Sequence, residues 1–258
     1  MDTHLSQDGT RIAFDRTGEG PPVVIVVGAF NDRSTAAPLA EALAARFTVF
    51  TYDRRGRGAS GDTQPYHVDR EIEDLGAVIA EAGGAAFVFG YSSGAVLALR
   101  AAAHGLPITK LALYEAPLGA PTASAEHAPR LAQLIAAGRR GDAVEYFQAK
   151  VVGIPEDVVA RLRQAPFRPA LEQMAATLVY ECTIIGDGSL PTALAASIAR
   201  PALVMAGGAS FPFMRTTAQA LADALPHGQA RILEGQTHDL VPAVLAPVLE
   251  QFFTDSGE

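Results

Sequence analysis

One short run in this 258-residue chain has the residue types and spacing for covalent chemistry: Gly90-Tyr91-Ser92-Ser93-Gly94. The G-x-S-x-G pattern describes a sharp strand-to-helix turn whose small flanking residues let a serine hydroxyl stand clear of the backbone. Such a hydroxyl is a weak nucleophile and needs a base to take its proton. The histidines available are His4, His67, His104, His127, His227 and His238. Their places in the chain separate them. His4 falls in an opening hairpin, His104 at the far end of the helix after Ser92, and His227 just ahead of a strand. All three lie away from the carboxyl edge of the sheet, where sites form in such folds. His67 and His127 fall on or near the mouth. His238, between the last expected strand and the last expected helix, falls at the same edge as Ser92 and is the candidate base.

The elements that would position these residues follow from hydrophobic periodicity. Residues 2–7 and 11–16 read as a hairpin around Asp8-Gly9. Apolar runs at 23–28, 47–52, 85–90, 108–116, 201–208 and 230–235 predict strands, and the β-branched run 23–28 suits a strand buried on both faces. Helical spacing covers 35–46, 67–82, 93–105, 213–225 and 240–253. Between them, residues 117–195 carry only helical patterns, cut by six prolines from Pro121 to Pro191. Alternating strands and helices imply a doubly wound, mostly parallel sheet. The expected division is an α/β core, 1–116 and 196–258, with a helical cap inserted over 117–195.

Composition removes several function classes. Twenty basic residues against 28 acidic ones give a formal net charge of −8, without the basic face that nucleic-acid binding needs. A single cysteine, Cys182, excludes an intrachain disulfide, and no CxxC or HExxH run suggests a metal site. The polar start has no signal-like apolar stretch, and no apolar run reaches the roughly 18 residues of a membrane span. The expectation is a cytoplasmic protein with a small-molecule partner, no nucleic-acid or membrane partner, and a homodimer left open. Gly56-x-Gly58-x-x-Gly61 imitates a dinucleotide fingerprint, but no helix starts at once and three arginines crowd the turn, so no NAD or FAD is expected.

Taken together, the element order, the turn at Ser92, the Asp53-Arg54-Arg55-Gly56-Arg57-Gly58-Ala59-Ser60 segment and the His238 loop resemble the α/β-hydrolase superfamily. The likeness is to its cap-bearing serine esterase and lactonase-like members. The resemblance implies an eight-stranded sheet with an antiparallel first hairpin, a serine–histidine–acid triad under the cap, and no cofactor. It also implies that Asp53–Ser60 is mainly a structural turn.

The oxyanion hole should use the backbone N–H of Ser93 and that of Phe30, in the loop after residues 23–28. The Phe30 ring would also wall the acyl pocket. The acid departs from the family pattern, because the loop after 202–207 carries no carboxylate where an aspartate usually stands. Glu115, which ends the strand before the cap, is the leading candidate. Asp239 reads better as the N-cap of the last helix. Glu181 or Asp187 could reach down from the cap, or Ser210 could orient His238 in an acidless dyad.

Tyr91, Phe211, Phe213 and Met214 are candidate pocket walls, and this apolar lining favours a small apolar or aromatic substrate. The cap arginines Arg130, Arg139, Arg140, Arg161, Arg163 and Arg168 read as a solvated surface. The resulting expectation is a hydrolase of esters, thioesters or lactones acting through an acyl-enzyme. The alternatives are C–C hydrolysis, lyase or cyclase chemistry on the same fold, or a non-catalytic ligand-binding member.

Overall fold

The computed structural model describes residues 1–255. The chain opens with β1 (Asp2–Leu5) and β2 (Arg11–Thr17), joined at Gly9 with φ 83°. It continues through β3 (Pro22–Val26), α1 (Arg33–Leu43), β4 (Thr48–Tyr52), α2 (Val68–Glu81), β5 (Ala86–Tyr91), α3 (Ser93–Ala103) and β6 (Ile108–Tyr114). A helical insert follows: α4 (His127–Ala136), α5 (Arg140–Tyr146), a π-helical turn (Phe147–Val152), α6 (Glu156–Leu162), α7 (Arg168–Gln173), α8 (Leu178–Ile185) and α9 (Thr192–Ala196). The sheet then resumes with β7 (Ala202–Gly207), α10 (Pro212–Ala224), β8 (Gly228–Leu233) and α11 (Pro242–Thr254).

The eight strands form one sheet in the order β1-β2-β4-β3-β5-β6-β7-β8. β2 runs antiparallel to both neighbours, and every other pairing is parallel. Alternate side chains leave the sheet on opposite faces, which sorts the core into two layers. Val23 and Ile25 join Leu39, Leu43 and Leu249 on the face covered by α1 and α11. Val24 and Val26 join Leu75, Leu97 and Leu221 on the face covered by α2, α3 and α10. No described helix is long and apolar enough to cross a membrane.

Several boundaries differ from the sequence reading. β3 ends at Val26 rather than at residue 28, where Gly28 turns close under Ser92: a Cβ there would stand 2.7 Å from Ser92 Cβ. α1 starts at Arg33, after Asp32 accepts from Ser34 N at 2.9 Å, and ends at Leu43 so that the chain can turn back into β4. β8 spans Gly228–Leu233 and is a largely exposed edge. The last helix starts at Pro242 with Val241 as N-cap, so Asp239 is not its cap. The Asp239 carboxylate instead accepts from Thr237 Oγ1 at 2.9 Å.

The insert has a small core of its own, in which Leu131, Leu134, Val144, Phe147, Leu178 and Cys182 are buried together. Ala29 and Phe30, from the loop after β3, pack against it. Burial pushes the Cys182 thiol up to about 12, which keeps it a neutral packing group.

Candidate active site

Ser92 sits at the tip of the turn between β5 and α3 with φ 56°. The turn closes this tightly because Gly94 has no side chain: a Cβ there would lie 2.3 Å from the Val26 carbonyl oxygen of β3. Ser92 N donates to Tyr114 O at 2.9 Å, tying the turn to β6.

His238 Nε2 lies 3.2 Å from Ser92 Oγ, and its Nδ1 lies 2.9 Å from Glu115 Oε2. The loop carrying His238 is held by two phenols of the sheet. Tyr91 OH donates to His238 O at 2.8 Å, and Tyr114 OH donates to Thr237 O at 2.6 Å. Burial pushes both phenols well above their usual range, so they remain neutral donors.

Glu115 follows β6 directly, is fully buried, and has φ 57°. Its Oε1 accepts from Gly207 N at 2.7 Å, while Oε2 faces both Ser210 Oγ and His238 Nδ1. The loop after β7 therefore supplies no acid of its own but supplies donors to one. Ser210 holds Glu115 rather than His238. Asp187 is taken up by Ser189 at 2.6 Å and 2.9 Å, on the insert.

The loop after β3 carries Phe30 at φ 59°. Ser93 is the first residue of α3, where a backbone N–H has no intrahelical acceptor. Phe30, Ser92 and Glu115 are the only non-glycine residues with positive φ among those described. Backbone strain of this kind concentrates at functional sites.

A buried ion cluster supports this loop from behind. Arg54 grips Glu71 in a two-pronged pair at 2.6 and 2.7 Å and reaches Glu181 of α8 at 3.1 Å. Burial would raise the Glu71 carboxyl, but the Arg54 guanidinium outweighs it and holds the carboxyl below its usual range. Arg57 also pairs with Glu181 and donates to Gly28 O at 2.6 Å and Asn31 O at 3.2 Å. Arg54 donates to Val27 O at 3.2 Å. Glu181 thus faces arginines rather than His238. Asp53 accepts from Arg33 N at 2.9 Å and Ala59 N at 2.7 Å, closing the turn ahead of this cluster.

Over Ser92 lies a cavity of about 260 Å³ between sheet and insert. Tyr91, Phe30, Phe211, Phe213 and Met214 all line it. The insert adds Phe147, Gln148, Val151, Ile154 and Ile185, none of which the sequence reading placed in the pocket. The Phe30 and Phe147 rings meet edge to face, with centroids 5.4 Å apart. A more open depression of about 420 Å³, bounded by 209–212 and 237–239, reaches His238 from the other side.

Three of the other five histidines are engaged elsewhere. His67 caps α2, His4 pairs with Glu81, and His127 is bound between Tyr146 OH and Thr122 O. One arginine of the insert departs from the solvated surface expected of it. Arg168 is buried against Glu145, Glu172 and Gly141 O.

The strand order and the turn at Ser92 define an α/β hydrolase. The sequence profile of the alpha/beta hydrolase family matches residues 23–248, and the chain belongs to that family. It is similar to an alpha/beta hydrolase from Sphaerobacter thermophilus DSM 20745, with a TM-score of 0.92 and 56% identity over 98% of this chain and 100% of that one. It also resembles the enol-lactonase from Burkholderia xenovorans LB400, with a TM-score of 0.71 and 23% identity over 98% and 100% of the two chains, a likeness of fold alone. Among curated proteins, the N-formylmaleamate deformylase of Pseudomonas putida is 33% identical over 123 residues, 46% of each chain. The uncharacterized hydrolase YraK of Bacillus subtilis is 35% identical over 99 residues, 37% of this chain and 36% of that protein. The matched segments span less than half of either curated relative.

Proposed function

We propose that this protein is a serine hydrolase that cleaves an ester, thioester or lactone of a small apolar or aromatic substrate. The observation that carries the reading is the unbroken hydrogen-bonded chain Ser92–His238–Glu115 at the floor of an apolar cavity. Ser92 Oγ attacks the carbonyl carbon as His238 Nε2 takes its proton. Glu115 fixes the ring with Nδ1 protonated, leaving Nε2 free to accept, and stabilises the imidazolium that forms. The N–H groups of Ser93 and Phe30 receive the developing oxyanion, helped by the positive end of α3. His238 returns the proton to the leaving group, which departs as an alcohol, thiol or, from a lactone, the tethered hydroxyl of the same acyl chain. A water then gives its proton to His238 and attacks the acyl-enzyme, and Ser92 recovers its hydrogen as the acid leaves.

Labelling with a fluorophosphonate probe, located by peptide mass spectrometry, tests this reading. Modification at Ser92 that disappears in His238→Ala supports it. A folded protein that takes no label at Ser92 refutes it and turns the search to lyase or cyclase chemistry.

A further inference from the structure

The ion cluster holds three carbonyls of the loop after β3, those of Val27, Gly28 and Asn31. It leaves that of Ala29. Asn31 supplies the donor there: its Nδ2 donates to Ala29 O at 2.6 Å. On the other side of the same residue, Ala29 N donates to Ser93 Oγ at 3.1 Å. Asparagine side chains often bond to backbone close in sequence. What sets this bond apart is the peptide it grips.

Ala29 C=O and Phe30 N–H belong to one trans peptide plane and point in opposite directions, so fixing the oxygen fixes the hydrogen. The Phe30 N–H donates to no protein acceptor among the described residues, and neither does that of Ser93. Ala29, Phe30, Asn31, Ser92 and Ser93 all line the cavity. The plane also has a reason to turn over. Phe30 stands at φ 59°, and a half-turn of the peptide would carry it to the extended region that non-glycine residues prefer. That half-turn would exchange the places of the Ala29 oxygen and the Phe30 N–H, setting an acceptor where a donor stands. The Asn31 bond opposes it. A donor on a peptide oxygen also polarises the N–H at the other end of the plane.

We propose that Asn31 is a positioning residue for the oxyanion hole, acting through the Ala29–Phe30 peptide. The proposal rests on the serine-hydrolase reading above. The Asn31 carboxamide holds the Phe30 N–H ready for the oxygen that becomes negative when Ser92 Oγ adds to the carbonyl. Acylation and deacylation both pass through that anion. Losing the grip therefore slows both steps alike and leaves KM nearly unchanged.

The test compares wild type with Asn31→Leu, which keeps the bulk of the side chain without its donor, on p-nitrophenyl butyrate. Two inhibitors accompany the ester. An alkyl trifluoromethyl ketone takes up Ser92 Oγ to form an anionic hemiketal, and the matching methyl ketone binds unreacted. In Asn31→Leu, kcat should fall about a hundredfold, with KM within about twofold of wild type. Affinity for the trifluoromethyl ketone should fall by a similar factor, and affinity for the methyl ketone should hold.

An unchanged kcat, a rise in KM alone, or equal weakening of both ketones overturns the role of Asn31 and leaves the hydrolase reading standing. Should Asn31→Leu not fold, a crystal structure of the wild-type trifluoromethyl ketone adduct decides. Phe30 N at about 2.7–3.1 Å from the hemiketal oxygen, with Asn31 Nδ2 still on Ala29 O, supports the proposal. An Asn31 carboxamide turned onto the inhibitor overturns it. A wild type that neither hydrolyses the ester nor takes a fluorophosphonate at Ser92 refutes the hydrolase reading, and the role of Asn31 with it.

Discussion

On one side of Ser92, four buried charges hold the loop that carries Phe30; on the other, a single buried carboxylate holds the histidine. Arg54, Arg57, Glu71 and Glu181 are all nearly or fully shielded from solvent, and they pin three loop carbonyls, those of Val27, Gly28 and Asn31. The His238 side chain is 35% exposed and has one charged partner. The difference fits the role proposed for each side. Oxyanion donors act by being preorganised and need not move. A general base must exchange protons with substrate and water, so its ring is oriented but left accessible. A buried ion cluster is weak evidence for stability, but removing one member strands the others without compensation. The two sides should therefore fail in different ways.

The largest expected effect is on the histidine side. Glu115→Gln keeps an acceptor for Gly207 N but presents an amide N–H₂ toward Ser210 and His238, forcing the wrong imidazole tautomer. Turnover of an activated ester should fall by about ten-thousand-fold, with Tm nearly unchanged. A Tm loss as large as the next variant shows would break the contrast. Glu181→Leu should do the reverse. It leaves Arg54 and Arg57 buried with only Glu71 between them, for a loss of about 3–5 kcal/mol and roughly 10 °C in Tm by calorimetry. An unchanged Tm would show that Glu181 contributes nothing to holding the loop.

Ser210→Ala removes one donor from the Glu115 carboxylate and should lower kcat by roughly tenfold with KM little changed. A pure KM effect would move Ser210 from the carboxylate to the substrate. The smallest effect lies at the outer end of the arginine segment, where Arg55 bridges Asp74 at 2.7 Å and Asp8 at 3.0 Å. Burial opposes ionisation of Asp8, but hydrogen bonds from Thr10 and Arg55 outweigh it and hold the carboxyl down at about 2, against an ordinary 3.8. Because the folded value is the lower one, the contribution is fully present above about pH 3.8 and is lost as pH falls through about 2. Thermal melts of wild type and Asp8→Asn should differ at neutral pH and converge across that window.

Much of the sheet was legible because buried parallel strands need unbroken apolar runs, as at Val23–Val27 and Phe87–Tyr91. Ser92 and His238 could be singled out because their loops sit at strand ends, and the structure puts their side chains 3.2 Å apart. The ion cluster was not legible, because Arg54 and Arg57 meet Glu181 across 127 and 124 residues and no local pattern encodes that pairing. A signal did exist: Glu181 is a lone carboxylate in the apolar helix Leu178–Ile185, and such a charge demands a partner. The π-helical turn escaped for a different reason. Its residues have ordinary helical spacing, which does not distinguish a π-helical turn from an α-helix. The exposed β8 edge and the early end of β3 likewise depend on neighbours distant in sequence.

Glycine would adopt the backbone of Phe30, Ser92 and Glu115 without the roughly 1–2 kcal/mol that left-handed geometry costs other residues. The chain uses glycine at none of the three. For Ser92 and Glu115 the proposed mechanism gives the reason, since it needs the side chain at each. Of Phe30 the same mechanism asks only an N–H, which glycine has too. What keeps phenylalanine there against its own backbone preference is its ring, standing edge-on to Phe147 at the seam of sheet and insert. The same residue thus closes the cavity into which, on the proposed mechanism, its own amide donates.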